Sequence, residues 1–110
     1  MSNERKPLET PPARMGALAR LPVFLALEGK RAVLVGDGQA AAWKLELLEA
    51  AGARVKVYAV DGWTTDDLRG AAIAVGAFDD DNGAAAFASA ARAAGVPVNV
   101  IDKPAFCDFS

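Results

Sequence analysis

The stretch Arg31-Ala-Val-Leu-Val-Gly-Asp-Gly-Gln-Ala-Ala41 decides the fold, because an apolar run, a glycine-rich turn and a helix-forming segment follow one another without a gap. The run from Arg31 to Val35 is typical of a buried strand. Gly36 permits a tight turn after that strand, Gly38 lets the backbone approach a pyrophosphate, and a small residue at 41 lets a helix pack closely on the strand. The pattern indicates a dinucleotide-binding turn, although it is a weak signal by itself, since many glycine-rich turns match it.

Backbone amides at the start of the expected helix are candidate ligands for phosphate groups. The first amides of a helix have no acceptor within the helix, and the helix dipole adds partial positive charge there. We therefore expect four residues of the turn to contact a cofactor, namely Gly36, Gly38, Gln39 and Ala40. Asp61, which lies just past a second apolar run, is either a hydrogen-bond partner for a ribose or a solvated loop acid.

Length and composition predict one small globular domain. The chain has 110 residues, of which 53% are hydrophobic and 24% charged, and its net charge is −2. This balance gives no basic stripe for nucleic acid, and no apolar stretch has the length of a bilayer span, so we expect neither partner and a cytoplasmic location. With one cysteine, Cys107, and no histidine, any chemistry depends on carboxylates, lysines, hydroxyls and backbone groups.

The chain divides into a tail and a folded part. Prolines and scattered charges predict a flexible tail over residues 1–20, followed by an NAD(P)-binding, Rossmann-like domain over residues 21–110. Its first segment, Leu21–Leu27, is an apolar lead-in that is expected to pack against the sheet. The N-terminus, with its acid and proline and no long apolar segment, does not resemble a signal peptide.

Strands are predicted to alternate with helices in the folded part. Apolar runs predict strands at 31–35, 54–58, 71–75 and 97–101. Helices are expected at 39–51, from Thr64 or Thr65 onward, and at 83–94. In the first helix, three- and four-residue spacings predict a buried face made of Ala40, Trp43, Leu47, Leu48 and Ala51. The fold class is therefore α/β, a Rossmann-like three-layer sandwich with a mainly parallel sheet of about four strands.

Several motifs occur in the order of one known family. They are Leu21-Pro-Val-Phe24, Val35-Gly-Asp-Gly-Gln-Ala-Ala-Ala-Trp-Lys44, Ala50-Ala-Gly-Ala-Arg54, Ile73-Ala-Val75 before Asp79-Asp80-Asp81, and Val98-Asn-Val-Ile-Asp102. In these motifs the chain resembles the N-terminal part of siroheme synthase, the precorrin-2 dehydrogenase and sirohydrochlorin ferrochelatase family. The resemblance covers roughly residues 21–110.

The resemblance implies a substrate, a cofactor and catalytic residues. It implies NAD-dependent oxidation of precorrin-2, a tetrapyrrole, to sirohydrochlorin, in some members followed by insertion of ferrous iron, and a possible homodimer. It assigns Asp102 as the acid or base and, where iron is inserted, as the metal-handling residue; the alternative is a plain turn residue. Asp79 would lie near the nicotinamide, whereas Asp81 is expected to cap the helix that follows.

The chain also departs from the family pattern. Asp37 stands where a glycine is usual, and a carboxylate about 6 Å from a pyrophosphate would cost roughly 1–3 kcal/mol. Phe78 replaces a usual threonine and Trp43 a common arginine. Only about a dozen residues separate Tyr58 from Ala71, so one strand of the sheet is expected to be missing. A non-catalytic Rossmann-like module that binds a nucleotide or a partner protein is therefore the alternative function.

Overall fold

The computed structural model describes residues 16–110 and alternates strands with helices along the chain. Its elements are β1 (Arg31–Val35), α1 (Gln39–Ala50), β2 (Arg54–Tyr58), α2 (Thr65–Leu68), β3 (Ile73–Gly76), α3 (Asp81–Ala93), β4 (Val98–Val100) and a short 3-10 turn at Pro104–Phe106. The four strands form one sheet in the order β2-β1-β3-β4, and every neighbouring pair is parallel. The predicted α/β, Rossmann-like fold with a parallel sheet of four strands is confirmed.

The predicted bounds hold best where a turn residue fixes them. β1 and β2 match their predicted ranges, and α1 ends before Gly52, which adopts a φ of +86°. β3 begins at residue 73 rather than 71, because the Ala71 N–H donates to the carbonyl of Leu68 and closes the turn after α2. β4 is shorter than predicted at both ends, and α3 begins two residues early at Asp81.

The sheet has a core on each face. Val33, Val35 and Val98 point to the face covered by α2 and α3, where Phe87 of α3 is fully buried. Ala32 and Leu34 point to the other face, which α1 covers with Leu48. The helices on both faces complete the three-layer sandwich that the alternating pattern predicts.

The predicted buried face of α1 is largely wrong, because Leu48 is the only one of its five residues that is buried. Ala40, Trp43, Leu47 and Ala51 are exposed, Trp43 by 66% and Leu47 by 55%, and Ala41, which was not predicted, is buried. α1 carries apolar residues around most of its circumference, so spacing alone did not single out the side that meets the sheet. A single helix covers this face, and its second apolar side has no partner among residues 16–110.

The start of the described chain also differs from expectation. Gly16–Ala26 form neither helix nor strand, and Phe24 is fully exposed, so the lead-in packs on the sheet only through Leu27. Most of the predicted tail, residues 1–15, lies outside the described residues. Within residues 16–110, helices are too short or too polar to cross a membrane.

Strand β2 forms one edge of the sheet. The Arg54 N–H donates to the Lys30 carbonyl at 2.7 Å, and the Tyr58 carbonyl accepts from the Gly36 N–H at 2.8 Å, both toward β1. Because backbone groups alternate along a strand, those of Val55 and Val57 point away from β1, and no strand of residues 16–110 pairs with them. In doubly wound sheets another strand commonly occupies this side, which agrees with the short connection between β2 and β3.

Candidate functional site

A crevice of about 570 Å³ opens at the carboxyl ends of the strands. Three segments line it, each directly after a strand or at the start of a helix: residues 37–40, 77–80 and 101–103, with Val60 added from the loop after β2. Ligands of open parallel sheets bind at this edge, and the volume falls within the range of small-molecule sites. The fold therefore converges on one site.

The two glycines of the turn have different functions. Gly36 has a φ of +113°, and a Cβ there would lie 2.5 Å from the Ala77 carbonyl oxygen, so glycine is needed for the chain to pass the exit of β3. It is buried and does not line the crevice. Gly38 combines a φ of 91° with a ψ of 179°, a region that glycine almost alone adopts, and a Cβ there would meet no atom within 4 Å. Gly38 thus keeps the crevice open in front of α1.

The amino end of α1 is uncapped within the described part of the chain. Gly38 is its N-cap and has no side chain to accept a hydrogen bond, and its carbonyl takes the N–H of Ala42 at 3.0 Å. The amides of Gln39 and Ala40, which precede this bond, have no acceptor within the helix and line the crevice. No acidic residue stands in the first turn of α1, so the dipole is not offset there. This end of α1 suits an anion.

The start of α3 is closed by its own side chain. Asp80 is the N-cap, and its carboxylate accepts from the Gly83 N–H at 3.1 Å. The prediction that Asp81 caps this helix is wrong, because the cap belongs one residue earlier. Asp81 instead pairs with Lys103 at 2.9 Å across the crevice rim.

Asp102 is a turn residue, as one of its two interpretations predicts, and its role as acid or base stays a prediction. It occupies the third position of a turn closed by the Lys103 N–H on the Val100 carbonyl at 3.1 Å, and among residues 16–110 it alone of the non-glycine residues has a positive φ, 62°. Aspartate tolerates this left-handed conformation better than most residues. Asp102 is also exposed and lines the same crevice as Gly38.

Cys107 and Asn99 hold this turn against the sheet. The Cys107 thiol lies 3.2 Å from the Val100 carbonyl, and its sulfur accepts the Val100 N–H at 3.3 Å. The Asn99 amide donates to the Phe109 carbonyl at 2.8 Å. The cysteine is therefore a structural residue, because its sulfur also lies 3.4 Å from the Lys103 carbonyl and so contacts both ends of the turn that contains Asp102.

Carboxylates dominate the electrostatics of the crevice. Asp37, Asp79, Asp80 and Asp102 line it, and Lys103 is the single cationic residue among its lining residues. The hydrogen bond that Lys103 donates to Asp81 is the main reason that the pKa of Lys103 is raised; desolvation opposes this shift, and the charges of Asp81, Asp80 and Asp79 add to it. Sequence reasoning missed Lys103, although its position after Asp102 and opposite an acidic triplet was a usable signal.

The remaining predicted residues fall at different distances from the crevice. Asp79 lines it beside the start of α3, and Asp37 lines both the crevice and the adjoining apolar groove of about 240 Å³ between α1 and β2. Asp61 is exposed in the turn after β2 and does not line the crevice; its neighbour Val60 does. The described residues contain no group of three His, Cys, Asp or Glu side chains that could hold a metal ion.

These features fit a nicotinamide dinucleotide. The open space at Gly38 gives a pyrophosphate room, and the free amides of Gln39 and Ala40 supply donors for it. When bound, the cofactor would supply a carbon that accepts or returns a hydride. The residues at the start of α1 therefore match the group that the glycine pattern predicts, whereas the carboxylates of the lining oppose its phosphates, with Asp37 next to Gly38 in the chain.

Comparison with known proteins supports a nicotinamide cofactor. The chain matches the model of a family described as NAD(P)-binding over residues 23–110. It is 36% identical over 104 residues to the siroheme synthase of Ectopseudomonas mendocina, an alignment that covers 79% of this chain and 22% of that protein. The siroheme synthase of Methylococcus capsulatus is 37% identical over 108 residues, covering 81% of this chain and 23% of that protein.

The chain matches only a small part of each siroheme synthase but nearly all of its folded residues match the family model. The chain spans less than a quarter of the length of the curated relatives it matches, so their whole activity does not transfer to it directly. The family model, in contrast, includes every element from β1 to the last turn. The chain belongs to the NAD(P)-binding family, and its sequence is similar to part of siroheme synthases.

Proposed function

We propose that this chain is the cofactor-binding module of an NAD-dependent precorrin-2 dehydrogenase that oxidises precorrin-2 to sirohydrochlorin in the cytoplasm. One observation carries the proposal: the uncapped start of α1 and the carboxylate of Asp102 line the same crevice. A site that removes a hydride and a proton needs a cofactor cradle and a nearby base. The name of the relatives, siroheme synthase, supports the pathway and the tetrapyrrole substrate.

Each residue has a defined part in this chemistry. The amides of Gln39 and Ala40 would hold the pyrophosphate of a bound cofactor, and Gly38 would leave room for it. The bound cofactor would supply the hydride acceptor, and Asp102 would accept at its carboxylate the proton that the substrate releases. Asp102 is exposed at the rim, where a substrate too large for the crevice can reach it. Metal handling by the same carboxylate in iron insertion is a separate proposal, and it requires additional ligands.

Calorimetric titration with NAD⁺ tests the cofactor site. Gln39→Glu is nearly isosteric and places a negative charge in the first turn of α1, where it suits the dipole but repels phosphates. We expect about tenfold weaker NAD⁺ binding together with unchanged or slightly higher thermal stability. Glu49→Gln, near the end of the same helix, is the control. Equal affinity of wild type and Gln39→Glu would contradict the cradle.

A turnover assay tests the base. Precorrin-2 and NAD⁺ are supplied to the wild type and to Asp102→Asn, while NADH and sirohydrochlorin absorbance are followed. We expect the variant to lose about 10²- to 10⁴-fold in rate, the usual contribution of a positioned base, while NAD⁺ binding persists. Undiminished turnover in the variant would remove Asp102 from the mechanism.

The free edge of β2 favours the alternative, a module that binds a partner or a second copy of itself. The outward backbone groups of Val55 and Val57 form a template for another strand, and Lys56 between them is a residue that commonly discourages such pairing. Light scattering during gel filtration separates the two functions. A stable dimer without NAD⁺ binding would favour the non-catalytic module, whereas NAD⁺ binding by a monomer would favour the dehydrogenase.

A further inference from the structure

The acidic residues of the crevice are unevenly distributed. Asp79, Asp80 and Asp102 follow β3 and β4, Asp37 follows β1, and Val60 lines the side toward β2. The one lysine of the lining, Lys103, is held by Asp81, a carboxylate outside the lining. The half of the crevice beyond β3 and β4 therefore carries net negative charge.

If a dinucleotide bound at the start of α1, its adenosine half would lie away from this negative charge and its nicotinamide half close to it. In folds of this type the adenosine ribose lies near the end of the strand corresponding to β2, and the other half of the cofactor extends across the switch point. That direction leads from Val60 past Gly38 to Asp79 and Asp102. The nicotinamide would thus lie on the acidic side.

Charge distinguishes the two redox states of the nicotinamide. The oxidised ring is a cation and the reduced ring is neutral, so a carboxylate stabilises the oxidised form selectively. At a separation of about 7 Å in a water-like dielectric, one carboxylate favours the cationic ring by about threefold, and two favour it by about tenfold. The exposure of both side chains justifies this water-like value.

We propose that Asp79 and Asp102 make the crevice selective for the oxidised cofactor, so that NAD⁺ binds about tenfold more tightly than NADH. The proposal rests on the proposed function, because it takes the crevice to be a nicotinamide site. The selectivity favours loading of NAD⁺ and departure of NADH. Each tenfold difference between the dissociation constants of NADH and NAD⁺ also lowers the reduction potential of the bound couple by about 30 mV. Product release is therefore faster, but the driving force for hydride transfer is smaller.

Paired titrations of the full chain with NAD⁺ and NADH test this selectivity. We expect a ratio of dissociation constants near ten for the wild type at low salt and a smaller ratio at high salt, because these carboxylates are exposed. The double variant Asp79→Asn/Asp102→Asn should bring the ratio close to one. Asparagine tolerates the positive φ at 102, so the turn is preserved. Glu28→Gln/Glu49→Gln removes two charges elsewhere and should leave the ratio unchanged.

The outcomes separate the inference from the function on which it rests. If neither cofactor binds at millimolar concentration, the proposed function fails and the selectivity fails with it. If both bind with equal constants, or if the double variant keeps the wild-type ratio, only the selectivity is wrong. If Glu28→Gln/Glu49→Gln also lost the difference between the NADH and NAD⁺ dissociation constants, the net charge of the whole chain would cause the selectivity. Asp79 and Asp102 would then not be its source.

Discussion

Asp102 shows what a single residue can and cannot reveal before its backbone is known. The family resemblance proposes it as the acid or base, whereas its place in the sequence favours a turn residue, and one residue can be both. Its φ of 62° meets the needs of the turn, while its side chain lines the crevice. Sequence reasoning could not combine the two, because the positive φ depends on how the chain leaves β4.

Substitution of Asp102 should separate folding from chemistry. Asp102→Ala is expected to lose about 1–2 kcal/mol of unfolding free energy, because a Cβ without a local polar partner disfavours the left-handed region. Asp102→Asn and Asp102→Gly should stay within about 0.5 kcal/mol of wild type. Urea unfolding of the three variants measures this order. Equal losses for Ala and Gly would mean that the φ at this position is not the source of the effect.

Asp37, at the start of α1, should weaken the binding of NAD⁺. Its carboxylate lines the crevice beside Gly38, where a pyrophosphate would approach. Asp37→Asn removes the charge and keeps the size, so NAD⁺ binding is expected to tighten by about one decade. Titration at low and high salt checks the cause, because an electrostatic gain shrinks as salt rises. A gain that does not depend on salt would point to a steric effect instead.

Among the elements, the two long helices begin in opposite ways. The N-cap of α1 is Gly38, which has no side chain to accept a hydrogen bond from the first amides of the helix. The N-cap of α3 is Asp80, whose carboxylate accepts a hydrogen bond from the Gly83 N–H. The glycine-rich pattern predicted the first correctly. The second was misplaced by one residue, because three consecutive aspartates offer three possible caps and only the path of the backbone chooses among them.

Removal of the α3 cap should be measurable. Asp80→Ala is expected to cost about 1 kcal/mol of unfolding free energy, since the Gly83 N–H loses its acceptor. Asp81→Ala should cost less, because its ion pair with Lys103 is largely exposed on the carboxylate side. Thermal unfolding of both variants gives the comparison. A larger loss of stability for Asp81→Ala than for Asp80→Ala would indicate that Asp81 is the N-cap, as predicted from the sequence.

The short helix α2 should make stability sensitive to acid. The carboxylate of Asp67 accepts the Thr64 N–H at 2.8 Å, and this bond is the main reason that the pKa of Asp67 is lowered from its ordinary value of 3.8. A lowered folded-state pKa adds stability above pH 3.8 that is lost as pH falls through the folded value. Asp67→Asn should therefore flatten the acid side of a profile of melting temperature against pH. Asp66→Asn, on the same helix, should keep the wild-type slope.

At the scale of the whole molecule, the sequence predicted topology better than packing. The parallel direction of the strands follows from alternating elements and short crossovers, whereas the strand order β2-β1-β3-β4 was not predicted. The exposure of Trp43 and Leu47 was not predictable, because it depends on which side of α1 meets the sheet. The crevice lies at one end of the sheet, so its charges can change without disturbing the two cores.

The core beneath α3 should control the stability of the entire domain. Phe87 is fully buried and contacts Trp63 at 5.4 Å and Phe78 at 5.3 Å between ring centroids, and its ring lies where a Cβ on Gly76 would be. Phe87→Ala is expected to cost about 3–5 kcal/mol, a large share of the 5–15 kcal/mol typical of a domain. Phe87→Leu, which leaves a smaller cavity, should cost clearly less. Urea unfolding measures both, and a loss below about 1.5 kcal/mol for Phe87→Ala would show that the sheet face does not depend on this ring.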